Sequence, residues 1–317
     1  MSVFIRVALG ALLIGGVIWF QGGPDALYAS LKHVGLVAVV IAMACHGLSM
    51  AVCGLGWWIT AGRPSSPVVS FFVLTRWIRD GIGQLLPFVP LGGEVTGARI
   101  LANAGGMGGI LAAAITVVDI TAEVITQAVF SLMGAVAWVC QGGSLTYAGI
   151  AVALIVPIAI ALFMAQNLGL VRLLERLADR VMPDSWKGEG VSAPIHHAIH
   201  TLYGNRKRFA LASLVHLSAW IVALSESFFV LRHLETPISL GQSLALESVI
   251  FAVRSAAFMV PGALGLQEGG YVLVGAALGI PGEAALALAL VKRARELALG
   301  LPALAVWQWL GAQRQQP

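Results

Sequence analysis

Long apolar runs alternate with short polar breaks from one end of the sequence to the other. Predominantly apolar runs that read as full spans cover residues 3–20, 34–61, 108–139, 145–165, 209–231 and 281–310. Each is close to or beyond the roughly 18–20 residues an α-helix needs to cross about 30 Å of hydrocarbon. The pattern predicts an all-α polytopic membrane protein with about six full spans. Two further apolar stretches, 68–103 and 239–279, are broken near their middles. Pro87, Pro90, Gly92 and Gly93 interrupt the first, and Pro261, Gly262, Gly265, Gly269 and Gly270 the second. Proline removes a backbone donor and glycine weakens a helix, so each stretch reads as a pair of half-helices. Lipid cannot satisfy the freed N–H and C=O groups, which places such breaks inside protein or against water.

Charge then decides how the broken stretches run. If each re-enters and returns to the side it came from, six spans put both termini on one face. Arg6, Arg63, the segment 172–208 and Arg314 then share a side and hold ten of the nineteen Lys and Arg, against Lys32 and Arg232 opposite. The positive-inside rule makes that side, and both termini, cytoplasmic. The first hairpin enters from the cytoplasm and the second from the other face, as in an inverted repeat. Reading both as complete spans would put 172–208 opposite Arg6. The chain therefore reads as one integral membrane domain, 1–317, with halves of about 1–140 and 145–311. A polar segment, 166–208, joins them; its Arg172, Glu175, Arg176, Asp179 and Arg180 suit either a helix lying on the anionic cytoplasmic leaflet or a solvated linker. No small-residue cleavage site precedes Gln21, so residues 1–20 are expected to stay as a first helix.

Composition agrees with the pattern. Of 317 residues 58% are hydrophobic and 11% charged, with a mean hydropathy of +0.88, whereas soluble domains carry roughly a quarter charged residues. The net charge of +4 is accounted for as a topology signal and gives no support for a nucleic-acid partner. Cys45, Cys53 and Cys140 lie in apolar segments without a C-x-x-C and read as packing residues. His196, His197 and His200 form H-H-x-x-H without a neighbouring cysteine or carboxylate, so no metal and no cofactor is expected. His46 and His216 stand alone in apolar spans and read as internally hydrogen-bonded. No phosphate-binding loop, H-E-x-x-H or G-x-S-x-G occurs, which predicts neither an ATPase nor a hydrolase of those types.

The charges that do sit in apolar surroundings carry the candidate chemistry, because an ionisable group at membrane depth needs a partner, water or a function. They are Arg76, Arg79, Asp80, Glu94, Arg99, Asp119, Glu123, Glu226, Glu247, Arg254, Glu268, Lys292, Arg293, Arg295 and Glu296. The two breaks read alike: "LPFVPLGGE" (86–94) and "VPGALGLQEGG" (260–270) each give proline, glycines and then glutamate, with Arg79 and Arg254 ahead of them. Asp119 and Glu123 share a helical face, which suits a proton relay or cation-compensated pocket, or else a structural ion pair with Arg76, Arg79 or Arg99. Lys292, Arg293 and Arg295 lie too far from either interface to snorkel. Their partner is either an anionic lipid headgroup, phosphate above all, or internal carboxylates such as Glu268, Glu296 and Asp119.

Together with "VVDITAEVI", "RSAAFMVPGALGLQEGG" and "KRARELALGLPAL", the first motif, extended to "LPFVPLGGEVTGARIL", resembles the lysylphosphatidylglycerol synthase transmembrane domain superfamily, the flippase-like integral membrane proteins. The likeness runs along nearly the whole chain, and within the group the length and motif variants look like the hopanoid-biosynthesis-associated members. It implies lipid translocation in a bacterial inner membrane, with a hopanoid or other lipid as substrate, anionic phospholipid at the cytoplasmic face and lipid-biosynthetic enzymes as partners. By position it implies a translocation cavity formed by Arg79, Pro90, Gly92, Gly93, Glu94, Arg99, Asp119, Glu123, Arg254, Pro261, Glu268, Arg293, Arg295 and Glu296. The synthases carry an aminoacyl-transferase domain that is not found up to Pro317, so the chain is not expected to be an enzyme. An intramembrane lipid-phosphate or polyprenyl-phosphate enzyme is the alternative, weakened because Ala263 and Leu264 stand where a hydroxyl would follow Pro261-Gly262. A non-catalytic scaffold is the third reading.

Overall fold

The computed structural model describes residues 35–86, 91–146, 149, 153, 192–256 and 266–313. The expected spans 3–20 and, beyond its first residues, 145–165 lie outside them, as does most of the polar segment 166–208. Nine helices and no strand are found among the described residues: α1 Leu36–Thr60, α2 Val69–Leu85, α3 Gly92–Asn103, α4 Gly109–Cys140, α5 Ser192–Gly204, α6 Arg206–His233, α7 Leu240–Ala256, α8 Leu266–Ala277 and α9 Gly282–Gln313. Three of these, α1, α4 and α6, are long and apolar enough to cross a membrane. The helix α9 matches them in length but carries Lys292, Arg293, Arg295 and Glu296.

Helix ends follow local chemistry. Gly35 and Gly108, at φ 79° and 75°, let the chain turn left-handed immediately before α1 and α4. The Asn205 side chain accepts the Arg208 N–H at 3.1 Å and caps α6.

The helix α2 lies on α9 and α4 on α7, while α1 lies along α6. Ser49 donates to the Ala219 carbonyl at 2.9 Å, and these two residues are each thirteen past the start of their helix. Toward the end of α1, a Cβ on Gly62 would lie 2.9 Å from the Arg208 guanidinium near the start of α6. The two long helices therefore run antiparallel, and the Arg63 and Arg206–Arg208 neighbourhoods sit at one end of the bundle, as the charge pattern expected.

Each broken stretch folds back on itself, with α3 packed against α2 and α8 against α7. At the first break a Cβ on Gly93 would fall on the Arg79 carbonyl, so only glycine lets α3 start this close to α2. One cluster joins α2 and α9 through Ile78, Ile82, Leu85, Leu297 and Leu304. A larger one joins α1, α6, α7, α8 and α9 around Leu231, Leu246, Ile250, Tyr271 and Leu288. Leu36, Val136, Leu214, Leu273 and Trp309 are exposed. An apolar exterior of this kind suits contact with lipid chains.

The end of the polar joining segment is not a free loop. Ile195, Ile199, Leu202 and Tyr203 of α5 pack on Ala114 and Val118 of α4, and the Tyr203 hydroxyl donates to Thr121 at 2.9 Å.

Candidate functional site

Two buried ion networks occupy the bundle. The first gathers on α2, α3, α4 and α6. Arg76 donates through Nε to Asp80 one turn on at 2.9 Å, and grips both oxygens of Glu123 with its two terminal nitrogens. Such a bidentate pair fixes α2 against α4 in direction as well as distance. Arg79 reaches Asp119 at 3.3 Å, Glu123 at 3.0 Å and Glu94 at 3.7 Å. Its guanidinium also lies over the Trp57 ring, 5.5 Å from the centroid. That ring has room because Gly97 is opposite; a Cβ there would stand 2.9 Å from it. His216 completes the group, with Nε2 at 2.8 Å from Asp119.

The second network lies on α6, α7, α8 and α9. Lys292 sits 3.1 Å from Glu247 and 3.5 Å from Glu226. Glu247 also accepts from Ser227 and, at 3.0 Å, from Tyr271. Arg293 bridges Glu268 at 3.0 Å and Glu296 at 3.1 Å, and Arg254 meets Glu296 at 3.2 Å. Arg295 lies 3.3 Å from Glu226 and 3.6 Å from Glu296. The contact to Glu226 is misaligned for a hydrogen bond, so Arg295 Nε and Nη1 and Glu226 Oε1 keep unfilled capacity, as do both ends of the buried Gln267 amide. Four cations balance four carboxylates here.

The first network is unbalanced. Among the described residues, Asp80, Glu94, Asp119 and Glu123 face Arg76 and Arg79, with His216 as the remaining group able to take positive charge. Both networks lie at comparable depth from their own helix starts. Asp119 and His216 are ten residues into α4 and α6, and Lys292 is ten residues into α9, about 15 Å along each helix.

Most residues expected at the site are brought together, but in two groups. Arg79, Glu94, Asp119 and Glu123 meet in the first; Arg254, Glu268, Arg293, Arg295 and Glu296 in the second. Gly92 and Gly93 open α3 beside them. Pro90 and Pro261 lie outside the described residues. Arg99 joins neither group and forms no ion pair with a described residue. Of the partners weighed for Asp119 and Glu123, the observed ones are Arg76 and Arg79. Those of the α9 cations are Glu226, Glu247, Glu268 and Glu296 rather than Asp119, which belongs to the other network. Tyr271 and His216 were not among the expected site residues; a single tyrosine or histidine in an apolar run carries no pattern. Among the described residues no group of three or more His, Cys, Asp or Glu is placed to hold a metal. The described cysteines are free thiols.

No curated protein and no solved structure matches the chain. The model of one family does, over residues 4–303. With that match spanning both ion networks and all but the end of the bundle, the chain belongs to the family described as the lysylphosphatidylglycerol synthase TM region, a family of membrane proteins tied to lipid-related processes.

Proposed function

We propose that the protein is a lipid translocase, flippase-like, acting in a bacterial inner membrane on a hopanoid or another lipid. The observation that carries the reading is the pairing of two folded-back hairpins with two buried ion networks, set into the interior of a bundle whose exterior is apolar. Half-helices meeting at depth are a transporter device, and an inverted arrangement gives each face of the membrane its own copy. The headgroup would engage the network beside the break while the acyl or polycyclic part stays in lipid. The unfilled hydrogen-bonding capacity of Arg295 and Gln267 supports a polar visitor at the second network, since buried polar groups ordinarily find partners. Membership of a family named for a lipid-modifying enzyme supports a lipid over a soluble solute.

The test is reconstitution into vesicles containing NBD-labelled phosphatidylglycerol, with dithionite bleaching to follow its movement between leaflets. The expected result is movement faster than in protein-free vesicles and slowed by Arg254→Gln or Glu268→Gln. Vesicles that bleach like empty ones, together with unchanged lipid sidedness in cells lacking the protein, would overturn the proposal.

A further inference from the structure

We propose that the His216–Asp119 pair is a proton-binding site through which lipid movement is coupled to protons. Its purpose rests on the translocase reading; its geometry does not. Both side chains are fully buried and meet at 2.8 Å between Nε2 and Oδ1. A neutral ring donates its Nε2 hydrogen to Asp119 and leaves a lone pair on Nδ1, which has no hydrogen-bond partner. One proton from water can join there, giving imidazolium against carboxylate, and the same proton returns to water on release.

The surroundings give that proton a reason to bind. Among the described residues four carboxylates face two arginines, and an uncompensated charge inside a membrane protein costs several kcal/mol. Histidine is the side chain whose charge changes most readily near neutral pH. The groups around the ring are Asp119 and Glu123 on α4, Arg79 and Arg76 on α2 behind them, and Cys53 beside it on α1. The other face of the ring is closed by the α1 backbone, where a Cβ on Gly56 would stand 2.8 Å from Nε2. Arg79 also ties the pair outward to Glu94, whose side chain is 30% exposed at the start of α3. Charging or discharging the ring therefore changes the load on the guanidinium that holds the hairpin to α4.

A second histidine supplies an internal control. His46 is ten residues past the start of α1, as His216 is in α6, but its Nε2 lies 3.5 Å from the Gln84 amide nitrogen and meets no carboxylate among the described residues. Only one of the two matching histidines is built to hold a proton.

The test is NMR of the protein labelled with ¹⁵N-histidine in nanodiscs, with the His216 signal identified by its loss in His216→Gln. Across roughly pH 5 to 11 the ring is expected to pass between neutral and charged forms, and Asp119→Asn is expected to shift that transition while His46→Gln leaves it in place. A ring held in one form throughout, or a transition untouched by Asp119→Asn in a protein that still elutes as a single species, overturns the proposal. The NBD-lipid assay run at several pH values separates the two claims. Lipid movement without a His216 transition removes the proton site and keeps the translocase; a transition without lipid movement does the reverse.

Discussion

Replacing Lys292 by methionine should destabilise the bundle far more than its single charge suggests. The ammonium stands 3.1 Å from Glu247, and the two side chains are 4% and 0% exposed. At an effective dielectric of about 20, two unit charges at that spacing attract by about 5 kcal/mol. Methionine keeps most of the side chain's volume, so little of the effect is lost packing. Removing the cation leaves Glu247 with only the Ser227 and Tyr271 hydroxyls, whereas Glu226 still has Arg295 at 3.3 Å. Breaking one partner out of such a buried pair costs about 3–5 kcal/mol, most of it the penalty of the stranded charge. Adding Glu247→Gln to Lys292→Met should return most of the loss, because the amide is neutral and still accepts from both hydroxyls. The assay is equilibrium unfolding in mixed detergent micelles for the two single variants and the double, closed as a cycle. A Lys292→Met protein within about 1 kcal/mol of wild type, or a double variant as unstable as the sum of its parts, would refute the reasoning.

Gly93→Ala should fail to assemble or unfold early, since its Cβ meets the Arg79 backbone, and overpacking against a carbonyl costs about 1–3 kcal/mol or more; gel filtration of purified protein checks it, and a stable monodisperse variant counts against the tight α2–α3 approach. Arg99→Gln should change unfolding free energy by no more than about 0.5 kcal/mol, because Arg99 has no described ion pair. A large loss of stability in the same unfolding assay would mean it is held more tightly than its surroundings indicate.

The breaks were legible in the sequence because proline and glycine in an apolar run have one physical meaning, and Glu94 and Glu268 marked them. The antiparallel course of α1 and α6 was legible from Arg63 and Arg208. What the sequence hid was the division into two networks. Spacing along a helix shows that Asp119 and Glu123 share a face, but not that Arg76 and Arg79 cross to meet them. Charge balance alone allowed Asp119 to be assigned to the α9 cations, and only packing keeps them apart. The two arginines ahead of the breaks stand at different depths, Arg79 ten residues past the start of α2 and Arg254 fourteen past the start of α7. By position, Arg76 corresponds to Glu247, each seven past its helix start.

That correspondence has a consequence for assembly. In the first half Arg76 of α2 meets Glu123 of α4; in the second the polarity is mixed, since Glu247 of α7 meets Lys292 of α9 while Arg254 of α7 meets Glu296 of α9. Packing runs the other way, with α2 lying on α9 and α7 on α4. Each helix ahead of a break is therefore held by charge to one long helix and by packing to the other, so that neither half can close without its counterpart.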